Sequence, residues 1–143
     1  MNEHTTTDRT SRAASVQKVI TPGGIEAWLV EDYAVPLIAF DFAFKGGNSQ
    51  DPDGKPGTAT MLAGLLDEGA GPLDSDAFHR ALDEKAIEIA FSADRDSFSG
   101  RMQSLSRNID RAFELLRLAM TQARIDADPL ERVRAQLNAG LRR

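Results

Sequence analysis

Leu37-Ile38-Ala39-Phe40-Asp41-Phe42-Ala43-Phe44, followed by Lys45-Gly46-Gly47, is the stretch that decides the fold class of this chain. Ile38, Phe40, Phe42 and Phe44 recur at period two and share one face, while Ala39, Asp41 and Ala43 share the other. A strand of that kind belongs in a sheet with one large buried side. Upstream, Val16–Ile20 and Ile25–Val30 are β-prone runs around Thr21-Pro22-Gly23-Gly24, which predicts a hairpin. Glu31-Asp32-Tyr33 and then Val35-Pro36 break the chain before the third strand.

Downstream, residues 45–57 (KGGNSQDPDGKPG) are so dense in Gly, Asp and Pro that they read as loop. Residues 58–66 are rich in Ala and Leu and predict a helix that gives way to Gly69-Ala70-Gly71-Pro72. Asp74 or Ser75 caps a second helix with Phe78 and Leu82 on one stripe. Ile87–Ala93 and Ser97–Met102 predict a second hairpin around Asp94-Arg95-Asp96. A third helix carries Ile109, Phe113, Leu116 and Met120. Asp128 before Pro129 starts a fourth, with Leu130, Val133, Leu137 and Leu141 as its stripe. The order β-β-β-α-α-β-β-α-α predicts an α+β fold, an antiparallel sheet with helices packed on one face. Residues 1–15 carry no apolar period and read as a disordered tail or a cloning remnant. Residues 16–143 read as one domain, and the stop at Arg142-Arg143 after a helical stripe suggests a truncated one.

Composition narrows the function. The chain has 143 residues, 41% of them hydrophobic and 27% charged, which suits a globular domain and not a disordered one. Its 17 basic residues against 22 acidic ones argue against nucleic acid as a main partner, because neutralising phosphates takes a basic excess. With no cysteine, disulfides, thiolate metal sites and Cys nucleophiles are excluded. No apolar run approaches the ~20 residues of a spanning helix. Residues 1–17 are too polar for a secretory signal, so the sequence leaves the compartment open.

Intrinsic chemistry is sparse. A histidine-based zinc site needs two imidazoles one helical turn apart, and the only histidines are His4 in the tail and His79 on a helix. Gly46-Gly47 and Gly69-Ala70-Gly71 lack the endings of phosphate-binding loops and read as turns. Asn48, Asp51 and Asp53 before Gly54 match only part of a calcium loop. No serine lies in a Gly-x-Ser-x-Gly elbow. Asp67, Glu68 and the Asp94/Asp96 turn remain as the acids an unrecognised enzyme would use.

Gly23-Gly24-Ile25, Trp28-Leu29-Val30, Val35-Pro36, the Phe40–Phe44 strand, Gly46-Gly47 and the Asp51–Gly57 loop before a short Ala/Leu helix form a recognisable series. The series resembles the N-terminal domain of the pitrilysin/insulinase-type inverted zinc metallopeptidases over residues 16–143, and implies half of a metallopeptidase-like α/β roll. That family's motif is H-x-x-E-H, two zinc-binding histidines around the glutamate that activates water, with a glutamate from the last helix of the region as third ligand. Aligned through Gly57-Thr58-Ala59, the resemblance puts Thr60 at the first histidine, Ala63 at the glutamate and Gly64 at the second histidine. The third ligand falls near Gly140, in a stretch (residues 134–143) without an acid. The resemblance therefore implies a non-catalytic homologue with no catalytic, metal or cofactor residues of its own, the helix from Thr60 to Leu66 packing Leu62, Leu65 and Leu66 inside. It further implies a heterodimer with an active zinc peptidase subunit, as in the two-chain processing peptidases and many bacterial pairs. The two would enclose an unfolded peptide, which the acidic balance suits to a basic sequence. Relatives of this kind are often periplasmic. The alternative is a scaffold or core subunit without any part in proteolysis.

Overall fold

Strands and helices form where the sequence predicts them. The phenylalanine face of Leu37–Lys45, however, leaves Phe40 and Phe44 exposed. The helix over Ile109–Thr121 buries Ala112, Leu115, Leu116, Leu118 and Ala119, while Phe113 and Met120 of its expected stripe stay exposed. A computed structural model describes residues 15–141, so the expected tail, apart from Ser15, lies outside the described residues, as do Arg142 and Arg143. The described chain divides after Val35 into two compact units. In the first, β1 (Gln17–Ile20) and β2 (Glu26–Leu29) form the predicted hairpin, with Gln17 opposite Leu29 and Ile20 opposite Glu26. Its turn closes through the Gly24 N–H, which donates to the Thr21 carbonyl at 2.9 Å.

The second unit holds β3 (Leu37–Lys45), β4 (Glu88–Ala93) and β5 (Ser97–Leu105) in the order β3-β5-β4, all antiparallel. Its helices are α1 (Thr58–Ala63), α2 (Ser75–Asp83), α3 (Ile109–Thr121) and α4 (Ala127–Gly140). Two antiparallel sheets and four helices make the fold α+β. The core joins one face of the three-stranded sheet to α2 and α3: Ile89 and Met102 meet Phe78, Leu82, Leu115 and Leu116. Ring contacts run along that face from Phe113 to Phe40, from Phe40 to Phe42, and from Phe42 to both Phe44 and Phe91.

Several boundaries differ from the sequence reading, each for a local reason. β5 runs three residues past Met102, because Gln103, Ser104 and Leu105 continue the ladder opposite Ala39, Ile38 and Leu37. Ser104 is the polar residue that hides this extension; it is buried, and its hydroxyl donates to the Leu105 carbonyl at 3.1 Å. α1 stops at Ala63 and not at Leu66, since Gly64 ends it and the chain continues in tight turns that bury Leu65 and Leu66. Leu62, expected inside, is 39% exposed. α4 begins at Ala127, so Asp128 and Pro129 stand inside its first turn, where a proline lacking an N–H costs nothing.

Candidate functional site

The loop leaving β3 is seated on the β4–β5 turn by its backbone. Gly46, Asn48 and Ser49 donate to the carbonyls of Asp96, Asp94 and Arg95 at 2.8, 2.8 and 2.9 Å. That turn is held by Asp94, whose carboxylate accepts from the Asp96 and Ser97 N–H groups at 2.8 and 2.7 Å and from the Ser97 hydroxyl at 2.8 Å. The Ser97 hydroxyl bond and then the backbone donors hold its pKa below the ordinary carboxylate range. Asp94 and Asp96 are exposed turn residues, and the Asp94 carboxylate is committed to holding the turn.

The acids that look like part of a calcium loop position α1. The Asp51 carboxylate accepts from the N–H groups of Gly57, Thr58 and Ala59 at 2.6, 3.2 and 2.8 Å, capping the helix from outside its own sequence. Asn48 accepts the Thr60 hydroxyl at 2.9 Å. Asp51→Ala is expected to cost about 1–2 kcal/mol, the range of a lost N-terminal cap, with Asp51→Asn losing less. Urea unfolding of both variants checks this; equal stability to wild type would mean the capping bonds contribute nothing.

Along α1, Thr60 is half-buried with its hydroxyl committed to Asn48, Ala63 is buried, and Gly64 is half-buried at the helix end. A Cβ built on Gly64 would come within 2.9 Å of Val133 Cγ1 on α4. Gly140, two turns further along α4, has no atom within 4 Å of such a Cβ. The α4 residue that stands at Gly64 is thus Val133. Only tertiary packing reveals this, because nothing in the stripe of α4 sets Val133 apart from Leu130 or Leu137. Thr60, Ala63 and Gly64 together offer one hydroxyl, and among the described residues no cluster of three or more His, Cys, Asp or Glu could hold a metal.

Asp67 and Glu68 lie where the chain leaves α1. Glu68 accepts from the Ser75 hydroxyl at 2.7 Å and from Arg132 of α4. Burial pushes its pKa up, but the Arg132 and Ser75 hydrogen bonds, with the charges of Arg132 and His79, outweigh that and leave it below the ordinary range. Asp67 moves the other way: burial raises it and Glu68's charge adds to the rise, against a backbone hydrogen bond and the field of His79. The sequence shows His79 only as a lone histidine on a helix, so its influence on both carboxylates is a feature that sequence reasoning missed. For Asp67 the fold favours the neutral acid. Stability is then lost as pH rises from the unfolded pKa, about 3.9, through the higher folded one. Asp67→Asn is expected to stabilise the protein slightly at pH 7, since the partly exposed site is screened by solvent. Urea titrations at pH 7 and pH 3.5 check it: the gain should vanish at the lower pH, and a gain equal at both would exclude charge as the cause.

No protein-family model matches the sequence. By sequence the chain is similar to a Helicobacter pylori protein described as non-peptidase homolog YmxG, 26% identical over 111 residues, 78% of this chain and 26% of that protein. By structure it is similar to the inactive domain of a peptidase M16 from Pseudomonas fluorescens, with a TM-score of 0.77 and 28% identity over 87% of this chain and 31% of that one. It shares its fold with a protease from Helicobacter pylori, at a TM-score of 0.69 and 23% identity over 90% of this chain and 30% of that one. It shares it also with pitrilysin, at 0.73 and 21%, over 94% of this chain and 14% of that one. The chain thus spans less than a third of the length of each of these proteins.

Proposed function

We propose that this chain, a homologue of the pitrilysin-type peptidases with relatives described as non-peptidase and inactive, is one domain of a non-catalytic subunit that pairs with an active one. The observation that carries this reading is the contact between Gly64 and Val133. In the family pattern, residues 60–64 hold H-x-x-E-H; here they read Thr60-Met61-Leu62-Ala63-Gly64. The third ligand position is kept near Gly140, as the resemblance implies; the packing of Val133 against Gly64 brings α1 and α4 together at this level without marking a ligand. The residues at these positions do not fit zinc. Ala and Gly carry no side-chain donor, and the Thr60 hydroxyl is engaged by Asn48. Where α1 meets α4 an apolar side chain packs against a glycine, so α1 becomes a structural helix.

Peptide binding does not need the lost chemistry. Among the described residues the sheet order leaves β4 paired on one side only, by β5, and α1 packs against β4. An extended peptide added to that edge would gain backbone hydrogen bonds along Glu88–Ala93. The domain would in this way form part of a chamber wall while a partner with an intact H-x-x-E-H cuts. Mixing the full-length protein with its sister homologue carrying that motif tests the pairing. A stable complex and cleavage faster than by the sister alone are expected. A sister whose activity is unchanged and which forms no complex would leave the scaffold reading in its place.

A further inference from the structure

The pairing of β3, β5 and β4 arranges their side chains in rows across the sheet. The face opposite the core carries three of them: Glu88, Gln103 and Ala39; Ala90, Arg101 and Asp41; Ser92, Ser99 and Ala43. The six residues of the second and third rows line a trough of about 600 Å³. That volume is in the range that holds a bound group. The trough starts at the β4 edge with Ala90 and Ser92 and continues over Ser99 and Ala43, all small. Its long side chains, Asp41 and Arg101, are bonded to each other at 2.7 Å.

The first row is different. Glu88 is the only charged residue of β4, it is exposed, and its neighbour in β5 is Gln103 and not a cation. The cation one row away, Arg101, is engaged by Asp41. Glu88 thus brings a negative charge without a counter-charge beside it to the side of β4 that β5 does not pair.

Both features bear on a peptide added to that edge, the reading on which this inference rests. A strand paired antiparallel, as the other pairs of this sheet are, passes Ser92, Ala90 and Glu88 in that order. Its alternate side chains then fall into the same three rows. Two of them extend over Ser92 and Ala90 into the trough, where the Arg101 guanidinium is available to an aromatic ring. The third meets Glu88, where an opposite charge is favoured and a like charge is not. We infer that the peptide this domain takes carries bulky, above all aromatic, side chains at two alternate positions and a lysine or arginine at the next alternate position towards its C-terminus.

Fluorescence anisotropy with the full-length protein tests this. The probe is a short labelled peptide with tyrosine, tyrosine and arginine at alternate positions, in that order, and threonine between them. It is expected to bind and to slow hydrogen exchange along Glu88–Ala93. Replacing its arginine by glutamate is expected to weaken binding about fivefold to tenfold, and replacing both tyrosines by alanine about as much. The same residues in reversed order should also bind more weakly. Glu88→Lys should turn the preference from arginine to glutamate. Ser99→Leu fills the trough, and should remove the preference for tyrosine while leaving that for arginine. If β4 is protected but forward and reversed peptides bind equally, the arginine preference survives Glu88→Lys, or the tyrosine preference survives Ser99→Leu, the selection is overturned and the edge addition stands. If no peptide protects β4, the edge addition itself is overturned, and the selection with it.

Discussion

Gly47→Ala is expected to destabilise the protein by roughly 3–5 kcal/mol, enough to leave a domain of ordinary stability mostly unfolded in mild urea. Two costs combine. Gly47 sits at φ +62° and ψ −141°, a region essentially closed to residues with a side chain. A Cβ there would also lie 2.2 Å from the Asp94 carbonyl oxygen and 2.5 Å from that of Ser97. Both are backbone atoms of the β4–β5 turn, so neither yields by a change of rotamer. Relief requires lifting the loop off the turn and breaking the bonds from Gly46, Asn48 and Ser49. Asn48 and Asp51 would move with it, and α1 would lose its cap. Urea midpoints measure the effect; a loss under about 1 kcal/mol would mean the loop is not seated as described.

Gly100→Ala is expected to cost about 2–3 kcal/mol. Gly100 is buried in the central strand, opposite Phe42 on one side and Phe91 on the other. The Phe42 ring lies across it, so that an added Cβ would come within 2.2 Å of Phe42 Cζ and 2.6 Å of Cε1. The obstacle here is a side chain, which distinguishes this site from Gly47. Phe42 cannot swing freely, however, because its ring packs among Phe40, Phe44 and Phe91 with centroids 5.6, 5.7 and 6.5 Å away. Shortening Phe42 to Leu should therefore recover part of the loss. The double variant is expected to be more stable than the sum of the singles by about 1 kcal/mol. Strict additivity would show that the clash lies elsewhere.

These two glycines illustrate what the sequence hides. Gly46-Gly47 is legible as a turn, but that Gly47 abuts two carbonyls from a hairpin far along the chain is a tertiary fact. Gly100 inside Ser97–Leu105 looks like a weak spot in a strand and is in fact the place that admits the Phe42 ring. The elements that are legible follow a period or a turn: β3 from its phenylalanines, α2 from its stripe and both hairpins from their turns. The face α3 buries, Ala112, Leu115, Leu116, Leu118 and Ala119, shares only Leu116 with the stripe read from sequence. What fails is what polarity or glycine disguises. Buried Ser104 conceals the end of β5, and Gly64 cuts α1 short. The candidate site divides the same way. Thr60, Ala63 and Gly64 are read off by resemblance, because they are local in sequence. Val133 comes from a helix nearly seventy residues later in the chain, and only packing shows that it stands opposite Gly64. Asn48 and Asp51, a fragment of a metal motif by spacing, are the groups that hold Thr60 and start α1.

The central claim is that α1 and α4 meet through packing where a zinc peptidase would carry ligands. The most direct measurement is the zinc content and peptidase activity of the purified full-length protein by itself. Zinc at background level and no cleavage are predicted, and zinc added in excess should change neither. Stoichiometric zinc with cleavage by this chain alone would contradict the placement of Thr60, Ala63, Gly64 and Gly140, and with it the reading of the subunit as non-catalytic.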